Sequence, residues 1–419
     1  MIGWAEIIQS IIYFISLYYV IFWLLVFLDN EPTGRKKMPK TWPEVSIIIP
    51  AYNEGKNIAS TIKSVTGLNY PKDRLKLFVV DDGSTDATFK LAKKHLQTLR
   101  GYKDIRLLTQ PNSGKFAAIN NALKYVDTEF FATLDADSLP TSSALKRSIL
   151  SFDSDNIAAV SSVLKVYKPK NMLQKIQDFE YMVNHFYKSV LSRLNAIHVL
   201  PGPLSIYRTG IVKNIGCFRD AHKTEDMEIA MRIQKMNYSI HQSDTSFVYT
   251  KTPHSFNDLY RQRHRWNHGT FRNLLDYRFM LFNKKYGDFG VFQLPIMFVS
   301  GMMGVTILFL MGYDFIKSAI PALKLFQLYD YNIIEYMSHM TFNIIWLDLD
   351  LRTIVMSFGF LAISLLVMKL SLKLSGEKYS ARHSLSFLAY TMFYYLFLAI
   401  VWLGVFKDII TGRETKWNK

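Results

Sequence analysis

The stretch Phe130-Phe131-Ala132-Thr133-Leu134-Asp135-Ala136-Asp137-Ser138 decides the fold of this chain. Its apolar run predicts a buried strand that ends at Leu134. Two carboxylates one residue apart follow the strand at once, and such a pair can bind Mg²⁺ or Mn²⁺ while leaving coordination positions for substrate phosphates. An Asp-x-Asp pair is also common in ordinary turns and caps, so the neighbouring segments must decide between the two interpretations.

Three further apolar runs predict strands at 45–49, 77–80 and 105–108, with helical segments around 56–66, 86–98 and 115–125. Alternating strands and helices predict a parallel sheet covered on both faces. Ligands bind such sheets at the carboxyl ends of the strands. Polar clusters follow three of the predicted strands at that position: Tyr52-Asn53-Glu54, Asp81-Asp82-Gly83-Ser84 and Asp135-Ala136-Asp137.

The composition narrows the function classes. The 419 residues carry 50 Lys and Arg against 34 Asp and Glu, a formal net charge of +16. A basic balance suits nucleic acid, anionic lipid or phosphorylated substrates. Nucleic acid is not an expected partner, because zinc-finger spacing, RNA-binding signatures and basic-region heptads are missing. The single cysteine, Cys217, excludes an intrachain disulfide and a cysteine metal cluster but leaves the redox compartment open.

Both ends of the chain are strongly apolar. Residues 11–28 are uncharged and just long enough to span the hydrocarbon core as a helix. A cleaved signal peptide is disfavoured by the acidic Glu6 and by the lack of a basic start and a small-residue cleavage site. The basic run Arg35-Lys36-Lys37 places this end of the helix in the cytoplasm and the N-terminus outside.

Three more membrane spans are predicted at 291–312, 353–371 and 385–406. Segment 333–347 is apolar but contains Glu335 and His339, so we interpret it as interfacial or re-entrant, with a fourth span as the alternative. The loop between the last two spans is basic and hence cytoplasmic. The tail after Lys407 is basic too, which conflicts with three C-terminal spans and leaves the topology beyond 312 open.

We therefore expect a cytoplasmic α/β domain inserted between transmembrane helices. The expected units are an N-terminal transmembrane helix at 1–30, a linker at 31–44, the α/β domain at 45–275, a C-terminal membrane region at 276–412 with interfacial and about three or four transmembrane helices, and a basic tail at 413–419.

Three other motifs fit a phosphate-containing substrate. Asn112-Ser113-Gly114-Lys115 opens a helix, where amides and a lysine suit phosphate, although lysines at helix starts are also common on surfaces. Thr224-Glu225-Asp226 begins a helix, and its acids either complement the helix dipole or supply a general base. Gln262, Arg265 and Trp266 share one helix face, which suits pyrophosphate and sugar or, alternatively, a membrane-interface belt.

Four motifs in this order resemble the membrane-embedded family 2 glycosyltransferases of the GT-A fold, a Rossmann-like α/β architecture. They are Asp81-Asp82-Gly83-Ser84, Asp135-Ala136-Asp137, Thr224-Glu225-Asp226 and Gln262-x-x-Arg265-Trp266. The family includes the processive synthases of poly-N-acetylglucosamine, hyaluronan, chitin and cellulose. The resemblance covers residues 45–270, and the Gln-x-x-Arg-Trp element is similar to that of members that hold a growing chain.

The resemblance implies a role for each matching residue. The implied nucleotide-sugar site consists of Pro50, Tyr52, Glu54, Asp81, Asp82, Lys115, Asp135, Ala136 and Asp137, with Asp135 and Asp137 at the metal. Asp226 is implied as the general base, with Glu225 beside it as a second catalytic residue. The implied acceptor and diphosphate site consists of Gly202, Pro203, Gln262, Arg265 and Trp266, and Tyr207-Arg208 resembles part of an acceptor-side segment.

The expected activity is an inverting, metal-dependent transfer from a UDP-sugar to a growing polysaccharide, with N-acetylglucosamine as one candidate sugar. Mg²⁺ or Mn²⁺ is the expected cofactor, membrane lipids are expected partners, and an accessory subunit is left open. One alternative is the transfer of a single sugar to a lipid-linked acceptor. A second alternative is a non-enzymatic scaffold that binds anionic lipid. We expect a multi-pass protein of the plasma membrane.

Overall fold

A computed structural model describes residues 4–29, 38–338 and 351–413 of the chain. The strands are β1 (Val45–Ala51), β2 (Leu75–Asp81), β3 (Asp104–Thr109), β4 (Phe130–Thr133), β5 (Leu139–Pro140), β6 (Ile157–Val166), β7 (Ser205–Arg208) and β8 (Ser239–Thr250). The helices are α1 (Trp4–Leu28), α2 (Ile58–Thr66), α3 (Thr88–Leu96), α4 (Lys115–Leu123), α5 (Ala144–Ile149), α6 (Met172–Arg193), α7 (Thr209–Asn214), α8 (Glu225–Lys235), α9 (Phe256–Asp276), α10 (Leu294–Leu328), α11 (Ile333–Ser338), α12 (Leu351–Ser375), α13 (Ala381–Ala389) and α14 (Tyr395–Ile410).

The eight strands form one sheet in the order β3-β2-β1-β4-β7-β6-β8-β5. The four predicted strands, β1 to β4, are confirmed and pair in parallel. Beyond β4 the sheet becomes mixed, since β7 runs antiparallel to β4 and β6, and β5 runs antiparallel to β8. The predicted parallel pairing and the α/β fold class are therefore confirmed, while the antiparallel strands beyond β4 were not predicted.

The strands beyond β4 were not predicted because buried polar side chains interrupt their apolar pattern. Ser162 of β6 and Ser246 of β8 are buried. They lie 3.0 Å apart in hydrogen-bonding contact, and Ser148 Oγ of α5 donates to Ser246 Oγ at 2.9 Å. Buried hydroxyls that satisfy one another are stable in a core but interrupt the apolar run by which a strand is recognised.

Helices cover both faces of the sheet, as predicted. Ile48 of β1 points to one face, where α4 and α8 pack. Its neighbours Ile47 and Ile49 point to the other face, where α2, α3 and α5 pack. This alternation buries β1 on both sides, so the apolar strand is fixed in register and its carboxyl end has a defined position.

Among the described residues, four helices are long and apolar enough to cross a membrane: Trp4–Leu28, Phe289–Leu328, Ile354–Ser375 and Ala381–Ile410. The second extends to Leu328, well past the predicted end at 312, and it begins with a π-helical turn at Phe289–Gln293. The predicted interfacial segment 333–347 is helical at Ile333–Ser338, and its remainder lies outside the described residues. The basic run 35–37 and residues 414–419 of the tail also lie outside them.

Candidate active site

The carboxyl ends of β1, β2 and β4 lie side by side. In the β1–β2 register, Ala51 is opposite Asp81. The amide of Leu134 at the end of β4 donates to the Ile48 carbonyl of β1 at 2.9 Å. The three polar clusters that follow these strands are therefore brought to one edge of the sheet, as their positions predict.

Lys115 is the cation at the centre of this edge. It is the first residue of α4, after Gly114 in the left-handed region at φ +91°. Its Nζ lies 2.5 Å from Asp135 Oδ1 and 3.6 Å from Glu225 Oε1. Burial alone would lower the pKa of the Lys115 ammonium, but the charges of Asp135, Glu225 and Asp226 outweigh burial and raise it, so Lys115 stays protonated.

Asp226 lies at the start of α8, beside this ion pair. Burial and the charge of Glu225 raise the pKa of Asp226 to about 6, against the opposing effect of Lys115 and Arg265. One of its oxygens accepts from the Met227 amide at 2.9 Å. A half-buried carboxyl with a raised pKa has the property expected of a general base that operates near neutral pH.

A strained loop and α9 hold the start of α8 in place. His222 and Lys223 have positive φ values of 52° and 64°. The Lys223 carbonyl accepts from Arg265 Nη1 at 3.0 Å. Asn273 Nδ2 donates to Thr224 Oγ1 at 2.8 Å. Two side chains of α9 therefore fix the segment that leads to Asp226.

Gly202 closes the site from the other side. A Cβ at this position would clash with both Asp135 Oδ1 and Lys115 Nζ. Residues 202–204 are buried, and Leu204 has a positive φ of 52°. The backbone of this loop therefore packs directly on the ion pair, and only glycine allows that approach.

The two aspartates at the carboxyl end of β2 have different surroundings. Asp82 accepts from Gln110 Nε2 at 2.7 Å, from the Ser113 amide at 3.0 Å and from the Gly114 amide at 2.9 Å. Its carboxylate thus shapes the loop that leads to Lys115. Asp81 is buried, and its Oδ1 accepts no hydrogen bond from the described residues. Of the two, Asp81 therefore has an oxygen free to accept a further hydrogen bond.

The other predicted nucleotide residues lie at the same edge in different settings. Pro50 is buried within β1, and Tyr52 is half-buried just after it. Glu54 Oε2 accepts from Asn57 Nδ2 at 2.6 Å. Ala136 is buried, and its carbonyl accepts from Thr61 Oγ1 at 2.7 Å. Pro50 and Ala136 therefore support the edge through backbone and packing.

Arg208 lies away from this edge. Because β7 runs antiparallel to β4, Arg208 is opposite Phe130, at the far end of the strand from Asp135. Its Nη1 contacts Glu129 Oε1 at 2.9 Å. Pro203 lies next to Gly202 in the closing loop and is buried, so the segment resembling an acceptor site is only partly at the site.

Gln262, Arg265 and Trp266 share one face of α9, as their spacing predicts, and each is half-buried. Between them lies Arg263, which the sequence analysis missed. Its Nη1 donates to Gln262 Oε1 at 2.7 Å, and its guanidinium lies 4.3 Å from the Trp266 ring centroid. Arg263 therefore fixes two of the three predicted residues.

Arg263 is itself held by a buried network. Its Nη2 lies 2.6 Å from Glu180 Oε2, and its Nε donates to the Tyr394 hydroxyl at 3.0 Å. Tyr394 in turn donates to Glu180 Oε2 at 2.7 Å. An arginine between two motif residues carries no sequence signal of burial, because arginine is normally exposed.

Lys188 is a second residue that the sequence analysis missed. It lies on α6, where burial lowers its pKa to about 8 against the opposing charge of Asp226. Its Nζ donates to the Val199 carbonyl at 3.2 Å. A lysine in an amphipathic helix resembles an ordinary surface residue, so only the fold reveals its proximity to Asp226.

The carboxylates that follow β4 fit a divalent ion that is also bound by substrate. Asp137 Oδ1 accepts from Ser138 Oγ at 3.2 Å, and Asp135 is bound by Lys115. Within 4–29, 38–338 and 351–413, no group of three or more His, Cys, Asp or Glu side chains could hold a metal ion. An ion here would depend on diphosphate oxygens, as Mg²⁺ does in many phosphate sites.

Comparison with known proteins identifies the domain. Residues 46–216 match the family described as Glycosyl transferase family 2. The probable glycosyltransferase YdaM of Bacillus subtilis is 25% identical over 408 residues, 94% of this chain and 90% of that protein. The poly-beta-1,6-N-acetyl-D-glucosamine synthase of Staphylococcus epidermidis is 26% identical over 273 residues, 62% of this chain and 64% of that protein.

Two further comparisons extend this result. The beta-monoglucosyldiacylglycerol synthase of Nostoc sp. is 25% identical over 254 residues, 60% of this chain and 54% of that protein. Among solved structures, a mannosyltransferase of Pyrobaculum calidifontis in complex with GDP-Man and Mn²⁺ has a TM-score of 0.61 at 18% identity. That likeness covers 95% of this chain and 96% of the other, and it confirms the GT-A fold.

Replacing Gly202 tests the close approach of the loop to the ion pair. In Gly202→Ala the new methyl group would displace Lys115 or Asp135, and we expect glycosyl transfer to fall about 100-fold, the usual effect of a misplacement near 1 Å. The matched control is Gly210→Ala, because a Cβ at Gly210 meets nothing within 4 Å. Equal transfer rates in the two variants would contradict the proposed contact.

Proposed function

Because this chain is a family 2 glycosyltransferase, we propose that it extends a polysaccharide at a membrane, using a UDP-sugar as donor. The proposed reaction is inverting and metal-dependent, and the proposed sugar is of the N-acetylglucosamine type. The observation that carries the proposal is the position of Asp226 next to the Lys115–Asp135 ion pair, with the charge of Arg265 also acting on Asp226. The partial match to a poly-beta-1,6-N-acetyl-D-glucosamine synthase supports the choice of sugar.

The proposed chemistry follows from the charges of the site. Asp226 accepts the proton of the acceptor hydroxyl as its oxygen attacks the anomeric carbon. The bond from that carbon to the diphosphate breaks, and UDP leaves with the electron pair. Lys115 and Arg265 stabilise the negative charge that develops on the diphosphate. Attack from the face opposite the leaving group converts an α-linked donor into a β-linked product.

We propose that Asp135 and Asp137 lie at the diphosphate of the donor and at its metal ion. Bound there, Mg²⁺ or Mn²⁺ would supply Lewis-acid stabilisation of the leaving group. Asp135 is already neutralised by Lys115 at 2.5 Å. We therefore assign Asp137 the larger share of metal binding and Asp135 the positioning of Lys115.

The face formed by Gln262, Arg265 and Trp266 supports repeated addition. An indole ring stacks on a sugar, while an amide and a guanidinium donate to hydroxyl or phosphate oxygens. Arg263 holds two of these three side chains in fixed positions. A preorganised acceptor surface of this kind suits an enzyme that retains its product between additions.

We further propose that the protein is a multi-pass protein of the plasma membrane with its catalytic domain in the cytoplasm. Four apolar helices support membrane insertion. Arg382 pairs with Asp178, and the Ser375 carbonyl accepts from Lys165, so the basic segment 369–382 adjoins the catalytic domain, which supports the cytoplasmic side. An accessory subunit is left open by this proposal.

A second candidate function is the transfer of one sugar to a lipid acceptor. The observation that favours it is the similarity to a beta-monoglucosyldiacylglycerol synthase over 60% of this chain. This candidate uses the same carboxylates and differs in the acceptor. The non-enzymatic scaffold considered from the sequence is dropped, because the chain carries a glycosyltransferase domain.

The size of the product separates the two candidates. We would incubate the purified full-length protein with radiolabelled UDP-sugars and Mg²⁺ or Mn²⁺, and resolve the products on a gel and by lipid extraction. A ladder of long products from one donor supports the polysaccharide synthase. A single adduct in the lipid phase supports the second candidate. Turnover with GDP-sugars alone would overturn the assignment of a UDP donor.

Substituting Asp226 tests the general base. Asp226→Asn removes the proton acceptor but keeps the side-chain shape, so we expect transfer to fall about 10²–10⁴-fold with UDP binding nearly unchanged. Calorimetry measures UDP binding, and product counting measures transfer. The control is Asp73→Asn, since the Asp73 side chain is 78% exposed on the surface. Near-normal transfer by Asp226→Asn would show that another residue is the general base.

The pH dependence of the wild type follows from the pKa of Asp226, which is about 6. The base must be ionised, so transfer should fall about tenfold per pH unit below 6 and reach a plateau above it. The effect on stability has the opposite sign. The folded form keeps its proton up to about pH 6 and an unfolded Asp only to about pH 4, so ionisation of Asp226 destabilises the fold as pH rises between these values.

Substituting Asp137 tests the metal site. We expect Asp137→Asn to lose the strengthening of UDP binding by Mn²⁺, because one hard anionic ligand is removed. Titration of Mn²⁺ at fixed UDP, followed by calorimetry, measures the effect without any turnover. The Asp73→Asn variant should keep the wild-type titration curve. An unchanged curve for Asp137→Asn would remove this residue from the metal site.

A further inference from the structure

In the described part of the chain, the polar contacts that join three of the four apolar helices to the catalytic domain lie at one end of each helix. The domain holds the C-terminal end of α1, the N-terminal end of α10 and the C-terminal end of α12. The contacts are Arg193 Nη1 with the Val26 carbonyl (3.0 Å), Gln293 Nε2 with the Tyr187 hydroxyl (2.9 Å) and Lys165 Nζ with the Ser375 carbonyl (3.1 Å).

The far parts of these helices contact one another. The rings of Trp4 and Tyr313 lie 5.0 Å apart, and Gln9 Nε2 donates to Asp314 Oδ2 at 3.3 Å. Trp4 begins the 25-residue helix α1, so this contact lies about 36 Å from the end held by Arg193. That length exceeds the hydrocarbon core of about 30 Å, as a membrane-crossing helix requires.

The helix Ala381–Ile410, here called the terminal helix, behaves differently, because the domain holds it along its whole length. Near its start Arg382 pairs with Asp178 of α6. At its middle Tyr394 contacts Glu180 of α6. Near its end Asp408 Oδ2 lies 3.2 Å from His264 Nε2 of α9.

These contacts are incompatible with a crossing. The terminal helix has 30 residues and is about 45 Å long. If it crossed the bilayer, Arg382 and Asp408 would lie on opposite sides of a core about 30 Å thick. Both instead pair with charged groups of α6 and α9, which belong to one catalytic domain.

The terminal helix also has two distinct faces. His383, Ser386, Tyr394 and Val405 are buried against the protein. The opposite face exposes large apolar side chains, which are Leu385, Leu388, Met392, Phe393, Tyr395, Ile400, Leu403 and Ile410. An exposed apolar face of this size is suited to contact lipid, while the opposite face is held by the protein.

We infer that the terminal helix lies flat in the membrane interface on the side of the catalytic domain, with its exposed apolar face against lipid. The chain then crosses the membrane three times, through α1, α10 and α12, and its C-terminus lies on the same side as the catalytic domain. This inference rests on the proposed membrane insertion but not on the proposed reaction. It also places the basic residues Lys407 and Arg413 on the side that such residues prefer.

Cysteine labelling in cells tests this topology. In a Cys217→Ser background, single cysteines replace Lys90 on the catalytic domain, Asp330 between α10 and α12, and Arg413 after the terminal helix; all three positions are exposed. A membrane-impermeant maleimide is added to intact and to permeabilised cells. We expect Arg413→Cys to be labelled like Lys90→Cys, only after permeabilisation, and Asp330→Cys to be labelled in both.

The outcomes separate the inference from the proposed orientation. Labelling of Arg413→Cys in intact cells, with Lys90→Cys protected, would show a fourth crossing and overturn the inference. Labelling of Lys90→Cys and Arg413→Cys together in intact cells would reverse the orientation but uphold the inference. A reporter fused after Lys419, active on one side of the membrane only, repeats the test without cysteine substitutions and must agree with the Arg413→Cys result.

Discussion

The site depends on one half-buried cation among three carboxylates. Without Lys115, the carboxylates of Asp135, Glu225 and Asp226 would repel one another, at about 4 kcal/mol for a pair 4 Å apart in a medium of effective dielectric 20. Lys115 is held by the 2.5 Å contact with Asp135 and by the loop at Gly202. The same cation keeps the pKa of Asp226 from rising further than about 6. Lys115 therefore sets both the charge balance of the site and the pKa of the proposed base, Asp226.

The fold supplies this balance from segments far apart in the chain. Lys115 is the first residue of α4, and Glu225 and Asp226 are the first two of α8. The N-termini of both helices thus face the site, and the positive end of a helix dipole stabilises nearby anions. The same property that steadies the carboxylates would attract the diphosphate of a donor. The N-termini of α4 and α8 would therefore stabilise the carboxylates of the free site and the diphosphate of the proposed substrate complex.

The sequence predicted the parts of this arrangement that follow local rules. The apolar run that ends in acidic residues predicted β4 and the position of Asp135. Both the burial of a strand and its end can be recognised from consecutive residues. The roles of Asp81 and Asp82 were not separable, because the difference lies in the amides of Ser113 and Gly114, which only the fold brings to Asp82. Arg263 was missed for a related reason, since its partner Glu180 lies 83 residues away.

Arg263 also explains how a membrane helix can affect the site without touching substrate. On one side it holds Gln262 and Trp266, and on the other it binds Glu180 and the Tyr394 hydroxyl of the terminal helix. A buried ion pair is costly unless every partner is in place, so movement of the terminal helix would disturb the geometry of α9. Misplacement near 1 Å can cost a factor of about 100 in rate. Lipid contact along the terminal helix is thereby coupled to the surface proposed to hold the acceptor.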